Sequence, residues 1–330
     1  MEGAIVGTVK TVALLVFYIA IGFLLGKKKI VGENAGKTLA AILTWVVMPF
    51  YSVVTLSKNV TVEKIGTYGE LFLVGIAVAA VSLAICIPLS GLFVKKGYVR
   101  NIYKYMFFAP NLGYFGYPLV ESVFGGEMLA MYMIFTLPTS VAICTYGYMI
   151  LTDKNADKIA DGVAVAEEAP ASRSDFIKRI FGPPMIGTFV GLALGLLSVS
   201  LPEVVYEFLS PAKVCMEALA MLLMGIVLSE LNFKTLFSSK KAYVFGLIRL
   251  LIYPAVFGGI TYIMYLFGVS REIFILTVSL TALPAGMNVV VYPESIGLSG
   301  REGAQACFIS YLMVIATLPL VFAVLSALAG

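Results

Sequence analysis

Residues 109–119 read Ala-Pro-Asn-Leu-Gly-Tyr-Phe-Gly-Tyr-Pro-Leu, and residues 283–288 read Leu-Pro-Ala-Gly-Met-Asn. Both stretches lie inside long apolar runs. Proline lacks a backbone N–H and clashes with the preceding turn, so each run is predicted to break near its middle. In hydrocarbon a broken helix is tolerated only against protein or a cavity, because every backbone polar group needs a partner. Two breaks at matching places in two halves of a chain predict a binding site at the bilayer midplane.

The composition indicates an integral membrane protein. The chain has 330 residues, of which 60% are hydrophobic and 13% charged, which is far more apolar than a soluble domain. Its apolar runs are long enough to cross about 30 Å of hydrocarbon. We predict ten transmembrane helices: Ile5–Leu25, Leu39–Leu56, Leu71–Val94, Tyr103–Phe124, Met128–Leu151, Met185–Leu201, Ala212–Ser229, Ala242–Phe267, Ile273–Ile296 and Ala304–Leu328. Lysines follow the first run rather than precede it, which favours a retained helix over a signal peptide.

The hydrophilic segment in the middle of the chain divides it into two halves. We predict a first five-helix repeat over residues 1–151, a flexible cytoplasmic connector over 152–180 and a second five-helix repeat over 181–330. Because each half has five helices, the second enters the membrane in the opposite sense, which gives a 5+5 inverted repeat. Most Lys and Arg residues fall in loops on one side, so both termini are predicted to be extracytoplasmic. The net charge of +4 reflects this rule and predicts no nucleic-acid partner.

The two proline motifs resemble those of the auxin efflux carrier family, which includes plant auxin carriers and bacterial malate and malonate permeases. The matching residues are Pro110-Asn111, the stretch 116–119 (Gly-Tyr-Pro-Leu) and the stretch 283–288. The resemblance implies the bile acid/sodium symporter-like fold, in which the fourth and ninth helices unwind and cross at their prolines. It also implies a scaffold of helices one, two, six and seven, a transport domain of the other six, and a homodimer.

The crossing of the two broken helices is predicted to bind an anion. Breaking a helix leaves free N–H groups and the positive end of its dipole at the start of the second half. Two antiparallel broken helices bring these ends together. Glycines allow close approach, and asparagine amides donate to a carboxylate without burying a counter-charge. The resemblance implies carboxylate contact for Asn111. The predicted substrate-binding residues are Asn111, Pro110, Gly113, Tyr114, Pro284, Gly286 and Asn288.

Each of these assignments has a structural alternative. A membrane proline is often only a kink, and glycine often serves close helix packing. Asn111 and Asn288 would, in that alternative, cap the broken helix ends and never contact a ligand. Tyr114, Phe115 and Tyr117 would line the pocket or only fill space between helices, and packing is the expected role of Phe115. The sequence leaves these alternatives open.

Four ionisable residues fall within or near the apolar runs and are candidates for coupling or gating. Arg249 lies about two turns inside the eighth run and is expected to snorkel to the interface, with contact to a substrate carboxylate as the alternative. Glu217 is a candidate for proton coupling or cation binding, and Glu121 and Glu294, near the ends of the two broken helices, are candidates for a gating or interfacial role. Residues 285–291 hold no acidic side chain, which counts against a sodium site there.

Other chemistry is not indicated. The four cysteines have no metal-binding spacing, the chain has no histidine, and no phosphate-binding loop is present. We therefore expect no metal, no cofactor and no enzymatic activity. The predicted function is secondary active transport of small organic anions across the plasma membrane by an elevator-type mechanism, with a carboxylate and the lipid bilayer as partners. The alternatives are a sodium-coupled bile-acid-type symporter and a membrane sensor that binds a carboxylate.

Overall fold

The computed structural model describes residues 2–160, 177, 180–230, 237–295, 298 and 301–329, and these residues are helical apart from short turns. The α-helices are α1 (Glu2–Lys27), α2 (Ala35–Ile42), α3 (Met48–Asn59), α4 (Ile65–Phe93), α5 (Tyr98–Phe108), α6 (Tyr117–Ala142), α7 (Tyr148–Leu151), α8 (Ala156–Ala160), α9 (Pro183–Leu196), α10 (Glu203–Leu209), α11 (Pro211–Ser229), α12 (Lys240–Leu247), α13 (Tyr253–Leu266), α14 (Arg271–Thr281), α15 (Asn288–Ser295) and α16 (Arg301–Ala329). The predicted all-α class is confirmed for these residues.

Short π-helical turns join several of these helices into longer rods. They are Leu43–Val47, Leu112–Gly116, Ile143–Gly147 and Ile248–Ile252. Counted with such turns, six helices in the described ranges are long and apolar enough to cross a membrane: Ala35–Asn59, Val62–Phe93, Leu112–Leu151, Glu203–Ser229, Lys240–Leu266 and Arg301–Ala329. The protein is therefore a multi-pass membrane protein. Ten crossings stay a prediction, as do the domain limits, and the centre of the predicted connector (161–176, 178 and 179) lies outside the described residues.

The chain leaves helical geometry at both proline motifs. Helix α5 ends at Phe108 and the next helical turn begins at Leu112, while α14 ends at Thr281 and α15 begins at Asn288. The two interruptions meet in space. The N–H of Asn111 donates to the carbonyl of Pro284 at 3.0 Å, and the N–H of Gly286 donates to the carbonyl of Ala109 at 2.9 Å. The pairing is antiparallel and centred on Pro110 and Ala285. We call residues 109–112 and 284–287 the junction.

One group of helices packs through very close backbone contacts. Helix α1 lies along α11, and α3 lies along α9. Glycines recur every fourth residue on α9, at Gly187, Gly191 and Gly195, and all three face the backbone of α3. A Cβ on Gly191 would lie 2.8 Å from the carbonyl oxygen of Ser52. Small residues at this spacing let membrane helices approach until their backbones touch.

The second group of helices carries the junction. Helix α4 packs against α5 and α6, α14 packs against α13, and α16 packs against α12. Large buried aromatic side chains fill this group; Tyr105, Tyr132, Phe107 and Phe274 are among the least exposed side chains of the protein. The space between the two helix groups is where the candidate site lies.

Replacing Gly191 with leucine is expected to destabilise the protein. A side chain at this position meets the α3 backbone, which cannot move without separating α3 from α9, and overpacking of this kind costs about 1–3 kcal/mol. The thermal midpoint of the detergent-purified protein should fall. Gly259→Ala is the matched control, because a Cβ there meets nothing within 4 Å. An equal midpoint for Gly191→Leu and Gly259→Ala would contradict the close contact.

Candidate functional site

A cavity of about 570 Å³ lies between the junction and the helix group of α2, α3, α9 and α11. Six of the seven predicted substrate-binding residues line it: Pro110, Asn111, Gly113, Tyr114, Gly286 and Asn288. Pro284 is buried in the junction and does not line the cavity. Gly113 and Tyr114 begin the helix after the first interruption, and Asn288 begins the helix after the second. The N-terminal ends of both helices therefore lie at the cavity wall.

Asn111 both caps a helix and lines the cavity. Its side-chain oxygen accepts from the N–H of Tyr114 at 3.2 Å, and its Nδ2 donates to the hydroxyl of Tyr311 at 2.5 Å. That hydroxyl in turn donates to the carbonyl of Ala285 at 3.1 Å. The asparagine is 4% exposed. A side-chain amide has two N–H donors, so one remains for a ligand after the bond to Tyr311. Capping and ligand contact are thus compatible.

Asn288 lies at the second helix start and is only half-buried. Its Nδ2 donates to the hydroxyl of Tyr292 at 3.1 Å, one turn further along α15. Both residues line the cavity, opposite the first helix start. Asn288 also forms a side-chain hydrogen bond with the hydroxyl of Tyr105, so its amide links two tyrosines at the cavity wall.

Several cavity residues come from the opposite helix group, and the sequence did not single them out. Thr44, Trp45, Met48 and Ser52 line the wall that faces the junction. The hydroxyls of Thr44 and Tyr114 lie 3.2 Å apart and connect the two helix groups across the cavity. These residues sit in ordinary apolar helical sequence, so no local pattern marks them.

Among the described residues, three charged side chains line the cavity. They are Glu33, Lys37 and Glu230, and all three are exposed. The remaining lining residues are mostly apolar, and their few polar groups are the two asparagine amides, tyrosine, threonine and serine hydroxyls, and the helix ends. Apart from Glu33, Lys37 and Glu230, the described residues of the cavity wall thus combine apolar surface with a few polar groups and no side-chain charge.

Glu121 and Glu217 lie away from the cavity in a network that joins three helices. The carboxylate of Glu121 on α6 accepts from the hydroxyl of Tyr51 on α3 at 2.6 Å and pairs with the ammonium of Lys213 on α11 at 2.5 Å. Glu217 follows Lys213 by one turn and interacts electrostatically with Glu121 and Tyr51. The ring of Tyr51 stacks on that of Tyr117, a cavity residue, at 6.2 Å. The sequence pointed to the carboxylates but not to Tyr51 or Lys213.

Arg249 does not snorkel, and that expectation is wrong. The residue is 2% exposed, and its guanidinium donates to the carbonyl of Phe107 at 3.1 Å and lies 4.9 Å from the ring centroid of Tyr253. A backbone carbonyl inside the protein takes the place of interfacial water. Arg249 does not line the cavity either. The side chain of Glu294 falls outside the described residues.

Two interrupted helices that meet at a largely apolar cavity with two asparagine amides in its wall are typical of a membrane transporter. The comparisons with known proteins give the family of the chain. Residues 8–322 match the family model described as membrane transport protein. The chain therefore belongs to this family, the auxin efflux carrier family. It is also similar to an uncharacterized transporter of Methanothermobacter thermautotrophicus, with 26% identity over 214 residues. That match covers 64% of this chain and 63% of the relative, which is less than two thirds of the relative's length.

Proposed function

We propose that the protein is a secondary active transporter of small organic anions, carboxylates such as malate, malonate or auxin-like acids, across the plasma membrane. The observation that carries the proposal is the meeting of two helix N-termini and two asparagine amides at one cavity wall. Helix N-termini favour negative charge through their unpaired N–H groups and their dipoles. The described cavity wall next to the junction carries no side-chain charge, which suits carboxylate groups held by these dipoles rather than by a counter-charge.

The topology we propose has ten crossings in a 5+5 inverted repeat. Helix contacts in the two halves support it, because they correspond in pairs. The contact of α1 with α11 corresponds to that of α9 with α3, and the contact of α4 with α6 corresponds to that of α12 with α16. The antiparallel pairing at Pro110 and Ala285 also supports opposite orientations of the two interrupted helices. Both termini would then be extracytoplasmic, and the scaffold helices would form a homodimer.

The transport cycle we propose is of the elevator type, with the junction group moving against the group of α1, α3, α9 and α11. Support comes from the position of the charged residues. The cavity reaches Glu33, Lys37 and Glu230, which lie in or next to loops predicted to be cytoplasmic. The predicted extracytoplasmic side carries the network of Tyr51, Glu121 and Lys213, which joins one helix group to the other. This conformation is then inward-open, and the network closes the outer side.

The variant Lys213→Glu is expected to open the outer side. It places a second carboxylate opposite Glu121 and so removes the ion pair. A partly exposed ion pair is worth roughly 1 kcal/mol, so its loss should raise the population of the outward-open state about fivefold. Cys144, a cavity residue, should react about fivefold faster with an impermeant thiol reagent added outside, in a Cys215→Ser background.

The double variant Glu121→Lys/Lys213→Glu restores opposite charges and should return the labelling rate toward that of the wild type. Lys64→Glu is the matched control, because Lys64 pairs with Glu127 at an exposed site away from the cavity. Equal labelling rates in wild type and Lys213→Glu would contradict the closing role of the network.

The proposed function is tested by uptake of labelled malate, malonate and indole-3-acetate into proteoliposomes, with and without sodium and pH gradients. We expect saturable uptake of at least one of these anions. Absence of uptake of all three by protein that elutes and melts as a folded species would contradict the proposal.

A further inference from the structure

Arg249 is a buried cation that forms no ion pair with a carboxylate among the described residues. In the part of the chain that the structure describes, neither of the two ion pairs involves it, and its Nε has no hydrogen-bond partner. Placing a charge inside a membrane protein is costly unless something compensates it. The only hydrogen bond recorded for its guanidinium within these residues is the one to the carbonyl of Phe107. The guanidinium is therefore balanced by the ring of Tyr253, whose centroid lies 4.9 Å away, and by the backbone at the end of α5.

The end of α5 has the negative charge that this balance needs. In an unbroken helix the carbonyls of residues 106, 107 and 108 accept from the N–H groups of residues 110, 111 and 112. Pro110 has no N–H, Asn111 donates to Pro284 instead, and Leu112 donates to Pro110. Three carbonyls thus lose their helical donors at the negative end of a helix dipole. Arg249 binds the middle one of the three.

The guanidinium of Arg249 and the cavity contact different ends of the interrupted helices. Helix N-termini lie at the cavity wall, whereas Arg249 contacts a helix C-terminus and does not line the cavity. Tyr132, which interacts electrostatically with Arg249, places its hydroxyl against the first helix start, where a Cβ on Gly116 would lie 2.8 Å from it. Arg249 therefore contacts the helix end before the first interruption directly, and it reaches the helix start after it through Tyr132.

We propose that Arg249 is the built-in counter-cation of the junction. It neutralises the negative end of the broken helix, so that the junction holds an anion without recruiting a dissociable cation such as sodium. Arg249 is a positioning residue, since it acts through the backbone of residues 106–112 rather than on the substrate. This inference rests on the proposed function, and it adds that carboxylate uptake is independent of sodium.

The test compares Arg249→Gln with Arg249→Lys in proteoliposomes, with sodium chloride or choline chloride on both sides. Glutamine keeps a donor for the Phe107 carbonyl but removes the charge, whereas lysine keeps the charge. Wild-type uptake should be equal in the two salts. Uptake by Arg249→Gln in choline chloride should be about tenfold lower, the scale of a partly buried cation at a helix C-terminus. Arg249→Lys should stay within about threefold of the wild type.

The matched control is Arg100→Gln, because Arg100 also donates to backbone carbonyls, those of Lys95 and Ile87, but at an exposed site. Its uptake should equal that of the wild type. A sodium requirement in wild type, or equal uptake by the Gln and Lys variants of Arg249, would overturn the inference. If the wild type carries no anion at all, the proposed function fails. The melting temperatures of the two variants then test whether the charge of Arg249 stabilises the junction. A lower value for Arg249→Gln than for Arg249→Lys supports the charge role, and equal values overturn it.

Discussion

Replacement of Asn111 by alanine is expected to reduce carboxylate uptake by about a hundredfold. The variant loses the cap on the N–H of Tyr114 and leaves the hydroxyl of Tyr311 without its donor. A helix N-cap is worth about 1 kcal/mol, and a hydrogen bond to a charged group is worth about 1.5–3 kcal/mol. Together these contributions correspond to roughly two orders of magnitude. Initial uptake rates at equal reconstituted protein measure the effect.

Asn111→Asp separates the capping role of this residue from its role toward the ligand. Aspartate keeps the oxygen that accepts from Tyr114, but it removes the amide donors and adds a negative charge at the anion site. Uptake should therefore be lost although the cap persists. Tyr311→Phe is the companion variant, since it removes only the partner hydroxyl and should cost less than either change at Asn111. Wild-type uptake by a folded Asn111→Asp protein would exclude contact between this side chain and the substrate.

Replacement of Gly286 by valine is expected to lower the rate of carboxylate uptake by about tenfold to a hundredfold. A Cβ at this position would lie 3.1 Å from the carbonyl oxygen of Ala109, 3.3 Å from that of Pro110 and 3.4 Å from the hydroxyl of Tyr105. The larger side chain pushes the two halves of the junction apart and weakens the bond from the Gly286 N–H to Ala109. Overpacking of this kind costs about 1–3 kcal/mol.

The size series at Gly286 gives a graded test. Gly286→Ala should reduce uptake less than Gly286→Val, because a single methyl group is accommodated by small shifts of its neighbours. Gly69→Val is the matched control, since Gly69 is exposed on α4 and a Cβ there meets nothing within 4 Å. Uptake by Gly286→Val equal to that of Gly69→Val would show that close approach at the junction is not needed.

The sequence was most informative where the chemistry is local. The interruptions at Pro110 and Pro284 followed from prolines grouped with Asn and Gly residues, whereas Pro88, Pro138 and Pro319 stand alone and lie inside continuous helices. Asn111 could be selected because it adjoins Pro110. Its partner Tyr311 could not be selected, because the two residues lie 200 positions apart. Nothing in the sequence around a tyrosine in an apolar helix indicates which residue it contacts. The same holds for Thr44, which meets Tyr114 across 70 positions.

Arg249 shows how a sequence argument fails when only one partner is considered. The expectation of snorkelling assumed that water at the interface was the available acceptor for a membrane arginine. A broken helix creates another, because its last carbonyls have no donors of their own. That acceptor is visible only once α5 and the turn at Ile248–Ile252 are placed side by side.

The most direct measurement of the central claim is protection of Cys144 from a thiol reagent by a transported carboxylate. Cys144 lines the cavity, Cys86 and Cys307 are buried, and Cys215→Ser removes the exposed thiol. If the anion binds at the junction, saturating carboxylate should slow labelling of Cys144 in parallel with its saturation of uptake, and Asn111→Ala should abolish this protection. An unchanged labelling rate at concentrations that saturate uptake would place the binding site elsewhere.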